Sequence, residues 1–327
     1  MNLQRMKRIA ALSLASSLML SVNAGALFGW GKQANEPVEG APVAQEISFS
    51  TYRDIPYRTQ FLGSDSVGED ITYAVETAPR KGTVVIDGAE FTYTPDEGLT
   101  GSDSFTYTAT DSAGNVSLPA KVTILIEKTR SGVTYGDTED PATAAAAQHL
   151  AEAGIFTGAK IGGMYCFEPE RPVTRGEFLA MVMETRGREV SSVTMTGFCD
   201  DQAIPTWAKA YAAAGVADGV IRGTATEEGV AFRGDEAITI NEAATVLNRV
   251  LDLGDVDLAV WYADRETVPS WAAQAVGNME AVSVLAAGSF GSEALDEAVT
   301  RADAAKMLSA AKTLLDGENP ESFGWLK

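Results

Sequence analysis

Three short stretches constrain this chain more than any others: VTRGEF (173–178), AITINE (237–242) and VTRADA (299–304). Each places a threonine three residues ahead of a carboxylate and before an apolar run, the mark of a capping box at a helix start. The threonines, Thr174, Thr239 and Thr300, stand 65 and 61 residues apart. Other words recur in the same register: YGDT (135–138), FCDD (198–201) and YADR (262–265), then AEAGIFTG (151–158) and AAGVADGVIRG (213–223). A period of this size marks a repeated structural unit. Each unit reads as helix, loop, helix, and none is large enough to bury both apolar faces alone. The expectation is one all-α domain built from units at 133–190, 198–254 and 261–315.

The first residues belong to none of these units. Arg5, Lys7 and Arg8 precede the apolar run IAALSLASSLMLSV (9–22) and the small residues Ala24-Gly25-Ala26. That pattern predicts a signal peptide over 1–26, with an apolar run too short for a membrane span. Losing those three cations moves the formal charge from −20 to −23. So acidic a surface argues against nucleic acid and anionic lipid as partners. Two cysteines, Cys166 and Cys199, cannot make a disulfide scaffold. A bridge between them and two free thiols are both open.

Residues 27–45 are rich in Gly, Pro and polar residues and read as a flexible linker. From 46 to 127 the period changes to two: FTYTP, SFTYTAT and KVTILIE alternate β-branched or aromatic residues with polar ones. The turn signals IDGAE, PDEGLTGSD and DSAGN separate them. Short strands at this spacing predict an all-β, Ig-like sandwich. The stretch ITYAVETAPRKGTVVIDGAEFTYTPDEGLTGSDSFTYTATDSAGN resembles bacterial cadherin-like or Ig-like tandem repeats.

The helical units resemble the S-layer homology (SLH) family. Unit one carries Tyr135-Gly-Asp137, Gly154-Ile-Phe-Thr-Gly158, Phe167-Glu-Pro169 and Thr174-Arg-Gly-Glu177. Unit two carries Phe198-Cys-Asp200, Trp207-Ala208, Gly219-Val-Ile-Arg-Gly223 and Thr239-Ile-Asn-Glu242, and unit three Tyr262-Ala-Asp264, Trp271-Ala272 and Thr300-Arg-Ala-Asp303. Unit one lacks the tryptophan, unit two lacks the arginine, and unit three has VSVLAAG in place of the glycine-flanked turn. The resemblance implies a pseudo-threefold arrangement whose grooves hold a pyruvylated secondary cell-wall polysaccharide or, in some relatives, modified peptidoglycan. It implies glycan contacts at Arg175, Arg301, Trp207, Trp271, Asp137, Asp200, Asp264, Gly158 and Gly223.

Residue chemistry gives these positions two readings each. Thr174, Thr239, Thr300, Glu177, Glu242 and Asp303 read as helix caps. Capping does not explain Arg175 and Arg301, because a cation in the first helical turn costs roughly 0.3–1 kcal/mol. Either the guanidinium and the free helix amides receive a carboxylate, or the arginine pairs with Asp137, Asp200 or Asp264. Trp207 and Trp271 are sugar platforms or core. A groove pairing one unit's arginine with the next unit's tryptophan would join Arg175 to Trp207.

An enzyme is not expected. The only histidine, His149, lies in an alanine-rich helix and reads as helix surface, and the pairs Asp200-Asp201 and Glu227-Glu228 read as solvated. No cofactor is expected, although clustered oxygens in DSAGN (111–115) and SDSVGED (64–70) leave Ca2+ open. The chain thus reads as a secreted, non-catalytic protein of the cell wall or S-layer, anchored by its SLH-like units with an Ig-like domain outward. The alternatives are an architectural wall-coat protein, or an adhesin whose Ig-like domain meets a surface or host partner. The tail at 316–327 has no assigned role.

Overall fold

In the computed structural model, residues 41–65, 70–262 and 267–317 are described. The expected signal peptide, Asp264, most of the expected linker and nearly all of the tail lie outside them. Among the described residues, strands occupy 43–127, and a helical region follows.

The sandwich contains nine strands: β1 Val43–Ala44, β2 Ile47–Tyr52, β3 Tyr57–Gln60, β4 Gly63–Ser64, β5 Thr72–Thr77, β6 Gly82–Asp87, β7 Glu90–Pro95, β8 Gly101–Thr110 and β9 Ala120–Glu127. One sheet runs β2-β9-β8-β5 and a second β3-β7-β6, while β1 and β4 pair as a short two-stranded sheet. β2 lies parallel to β9, with Ile47 opposite Val122, so the first long strand closes the sheet against the last. The alternation does what its period requires. Phe105, Tyr107 and Ala109 of β8 and Val122, Ile124 and Ile126 of β9 face inward. Aromatic packing joins the sheets: Phe49 stacks on Tyr57 at 4.1 Å, and Phe91 meets Phe105 edge-on at 5.3 Å. β1 lies inside the stretch expected as linker. The last residues of the expected turn PDEGLTGSD already belong to β8, because Asp103 is an internal anchor rather than a turn residue. It is buried and accepts the amides of Arg80 and Lys81 at 3.0 and 2.9 Å and the Tyr93 hydroxyl at 2.8 Å.

The helical region has seven α-helices among the described residues: α1 Pro141–Glu152, α2 Arg175–Thr185, α3 Thr206–Ala217, α4 Ile240–Leu251, α5 Leu258–Trp261, α6 Ala273–Ala281 and α7 Arg301–Asp316. It is not purely α. Two short hairpins, β10 Ala159–Ile161 with β11 Met164–Cys166 and β12 Thr224–Thr226 with β13 Gly229–Ala231, fill the loops of units one and two. Unit three has the 3-10 turn Glu293–Asp296 there, in keeping with its missing glycine pattern.

The expected helix–loop–helix units do not pack internally. The second helix of each unit lies against the first helix of the next: α2 on α3, α4 on α6, and α7 back on α1. Small residues allow this closeness, as at Gly215 of α3, where an added Cβ would press on Leu179 and Ile221. The result is one core that draws Leu150, Phe178, Leu247, Val276 and Leu308 from all three units. At its centre three backbone hydrogen bonds close a ring. Val173 N–H donates to the Val299 carbonyl at 2.9 Å, Val299 to Ile238 at 2.8 Å, and Ile238 to Val173 at 3.1 Å. The residue before each capping threonine thus serves as the hub of a three-unit cycle.

Candidate functional site: an arginine groove between units

All three capping boxes are complete. The hydroxyl of Thr174, Thr239 and Thr300 accepts the amide of Glu177, Glu242 and Asp303, and each carboxylate returns to its threonine's amide. The preceding amides are not free for an anion. Arg175 and Gly176 donate to the carbonyls of Glu236 and Gly234, Ile240 to Glu297, and Arg301 and Ala302 to Arg171 and Pro169. Each helix start is docked on a loop of the next unit, so the expectation of vacant helix amides is corrected.

The arginines extend that docking. Arg301 donates to the Phe167 carbonyl at 2.9 Å and to Glu168 at 2.7 Å, with its guanidinium 5.1 Å from the Phe156 ring centre. Arg175 makes the equivalent bond to the Phe232 carbonyl at 3.2 Å and pairs with Glu242. Both are clamps between units, which gives a structural reason for a cation in the first helical turn: its partners lie across the interface. Neither pairs with Asp137 or Asp200. Asp137 instead accepts the amides of Phe167 and Glu168 at 2.9 and 2.7 Å, and Asp200 those of Phe232 and Arg233, both at 2.8 Å. Those grips hold Glu168 and Arg233 at φ of 56° and 57°, a left-handed backbone that a non-glycine residue rarely adopts. Asp137 and Asp200 therefore shape the loops whose carbonyls the arginines clamp.

Gly158 and Gly223 both serve the framework of their loops, and Gly223 also lines a cavity between the units. Both have positive φ, and a Cβ would strike the Cys166 carbonyl at Gly158 and the Phe198 ring at Gly223. Cys166 and Cys199 are both unbridged. Asp201 is no free acid, since Lys209 and Thr196 hold its carboxyl down to about 2, with Lys209 Nζ at 2.7 Å. Asp111 spends its carboxylate on the Asn115 amide and side chain at 2.8 and 2.9 Å, an Asx turn in place of a cation ligand. Residues 66–69 of SDSVGED lie outside the described residues. Among those described, no three or more His, Cys, Asp or Glu side chains are grouped to hold a metal.

One cavity of about 300 Å³ opens between the units. Its lining takes Arg175, Phe178 and Leu179 from unit one, Ile221, Arg222, Gly223, Phe232, Glu242 and Arg249 from unit two, and Trp271 from unit three. Arg175 thus shares this cavity with Trp271, whereas Trp207 lies outside its lining, 52% exposed near the start of α3. The correction follows from the packing. α6 of unit three lies on α4 of unit two, which brings Trp271, just ahead of α6, to the cavity that Arg175 also lines. Sequence reasoning missed Arg222 and Arg249. Arg222 is the residue before the second glycine of GVIRG, a signal available in the sequence, while Arg249 was hidden as an ordinary cation in the last turn of a helix.

Because Arg175 is a clamp, Arg175→Ala is expected to lower stability by about 1–2 kcal/mol, through a lost charge-assisted bond and an unpaired Phe232 carbonyl. Arg301→Ala should behave alike. Urea unfolding followed by tryptophan fluorescence checks both, and unchanged midpoints would refute the clamp.

Among curated proteins nothing matches this chain. Solved structures with partial likeness include an endo-fucoidan hydrolase of glycoside hydrolase family 107, at 21% identity and a TM-score of 0.25 over 29% of this chain and 15% of that one. Others are the fibronectin(III)-like modules of Clostridium thermocellum CbhA, at 16% identity and 0.20 over 27% of this chain and 47% of that one, and the ZirS C-terminal domain, at 13% identity and 0.18 over 36% and 88%. This chain thus spans less than a fifth of the hydrolase and less than half of the CbhA modules. TM-scores this low carry nothing about activity. No SLH family match is found for the helical units. Residues 39–125 match the family of bacterial Ig domains.

Proposed function

We propose that this is an exported, non-catalytic protein of the cell envelope, held there by its SLH-like helical region through an acidic wall polysaccharide, with the Ig-like domain displayed outward. The observation that carries the reading is the inter-unit groove. Its lining holds three arginines and one glutamate, a formal balance of +2, in a chain whose formal charge is −20. Clefts of one sign with low-dielectric walls focus their field and concentrate counter-charged ligands. Trp271, 59% exposed and part of that lining, adds an aromatic face of the kind that packs on the apolar side of a sugar. A pyruvyl ketal on such a sugar carries a carboxylate that a guanidinium fork can receive. Many copies on a polymeric wall would turn modest single-site affinity into firm retention.

The test is co-sedimentation of the secreted chain with sacculi of its host, before and after acid extraction of the polysaccharide. Binding that disappears on extraction is the expected result. A protein that leaves intact sacculi in the supernatant would sink the reading and move attention to the Ig-like domain.

A further inference from the structure

We infer that the anion is received by Arg222 and Arg249 over the face of Trp271, at one site per chain, while Arg175 positions the groove without carrying the ligand. This rests on the reading of the groove as a site for an acidic glycan. Arg175 is committed: its guanidinium donates to the Phe232 carbonyl and pairs with Glu242, whose other oxygen caps α4. Arg222 is the opposite case. It is exposed, lines the groove and, among the described residues, makes no hydrogen bond or ion pair. Arg249 is half-buried and spends one donor on the Val220 carbonyl at 3.0 Å. Burial, and then the charge of Arg222, press its pKa down. The two cations therefore line one cavity with no carboxylate paired to either among the described residues. Only Glu242 in the lining is acidic, and it is already engaged. An oxyanion between them would relieve that repulsion and use fork donors that are otherwise unspent.

The other two units cannot copy this site. Residue 222 precedes the glycine of the loop; at that place unit one has Thr157 and unit three Ala287. Arg249 lies seven residues after the capping carboxylate Glu242. Seven after Glu177 is Glu184, an acid that accepts the Tyr211 hydroxyl at 2.7 Å, and seven after Asp303 is Ala310. Unit three also turns Glu280 inward to accept the amides of Gly288 and Phe290. Among the described residues, unit two alone carries an arginine at both of these places.

The experiment is calorimetric titration of the secreted chain with two probes, a galacturonic acid oligomer and a glycerol phosphate oligomer, together with sacculus co-sedimentation. The two probes separate a carboxylate from a phosphate as the group received. The expected stoichiometry is one, with affinity falling as salt is raised. Arg222→Ala and Arg249→Gln should each weaken binding at least tenfold, and Arg188→Ala, an exposed cation paired with Asp218 at 3.0 Å, should not. Arg222 holds nothing else in the fold, so its loss cannot be put down to unfolding. Should sacculi bind the native chain and Arg222→Ala equally well, or should three sites titrate, the two-arginine site is wrong while wall anchoring stands. Should sacculi fail to bind but a probe bind in an Arg222-dependent way, the site is right and the wall reading is wrong. If neither sacculi nor probes bind, both fall.

Discussion

Asp103→Ala is expected to destabilise the sandwich by about 4 kcal/mol, the largest effect of any single polar substitution in it. The carboxylate is buried and accepts four donors: the amides of Arg80, Lys81 and Ser104 and the hydroxyl of Tyr93. Burial alone would raise its pKa, but these donors outweigh burial and hold it below the usual value. Removing the acceptor strands every one of them, and each buried, unsatisfied donor costs roughly 1–3 kcal/mol. Asp103→Asn should cost less, since one oxygen survives to accept. Equilibrium urea unfolding of the full chain, followed by near-ultraviolet circular dichroism, reads the difference. A loss under about 1 kcal/mol for the alanine variant would mean that water or another group can serve those donors.

The second large effect is on pH dependence, and it comes from His149. Expected on a helix surface, it is half-buried where α1 meets α7, hydrogen-bonded through Nδ1 to the hydroxyl of Ser309. Burial, and then the neighbouring Lys312, push its pKa from 6.5 down to about 4, against a smaller upward pull from Asp316. The native chain therefore refuses a proton that the unfolded chain accepts between those values. Stability contributed by the neutral imidazole is fully present above pH 6.5 and is lost as pH falls towards 4, by about 3 kcal/mol in all. Carboxylates held below their usual values, such as Asp140 and Glu152, also weaken the fold in acid. A comparison with His149→Gln cancels their part. Plotted against pH, the stability gap between the two proteins should shift by that amount in favour of the variant between 6.5 and 4. Parallel curves would show that the imidazole titrates freely in the folded chain.

His149 also illustrates what could be read in the chain beforehand. Alanines around it gave no hint of which side faced inward, because α1 buries most of its surface, Ala144–Ala147 included, against a helix whose sequence lies more than 150 residues further on. Long separations also divide the candidate site. Arg175 reaches Glu242 across 67 residues and Arg301 reaches Phe167 across 134. A pattern in one repeat cannot say which neighbour receives such a side chain. Nor could spacing decide between Trp207 and Trp271. That depended on α6 packing against α4, a choice made by the shapes of both faces.

What the sequence by itself determined was local. The alternation of β8 and β9 decided which residues face the sandwich core, and the threonine and acid of each capping box decided where α2, α4 and α7 begin. Both depend on neighbours within a few residues, which any window of the chain contains. Only the tertiary structure decided the roles of Arg175, Asp137, Asp200, Arg222 and Arg249. Arg175 meets the Phe232 carbonyl of the next unit, Asp137, Asp200 and Arg249 meet backbone groups about 30 residues away across their own units, and Arg222 lines a cavity that exists only once the units have packed.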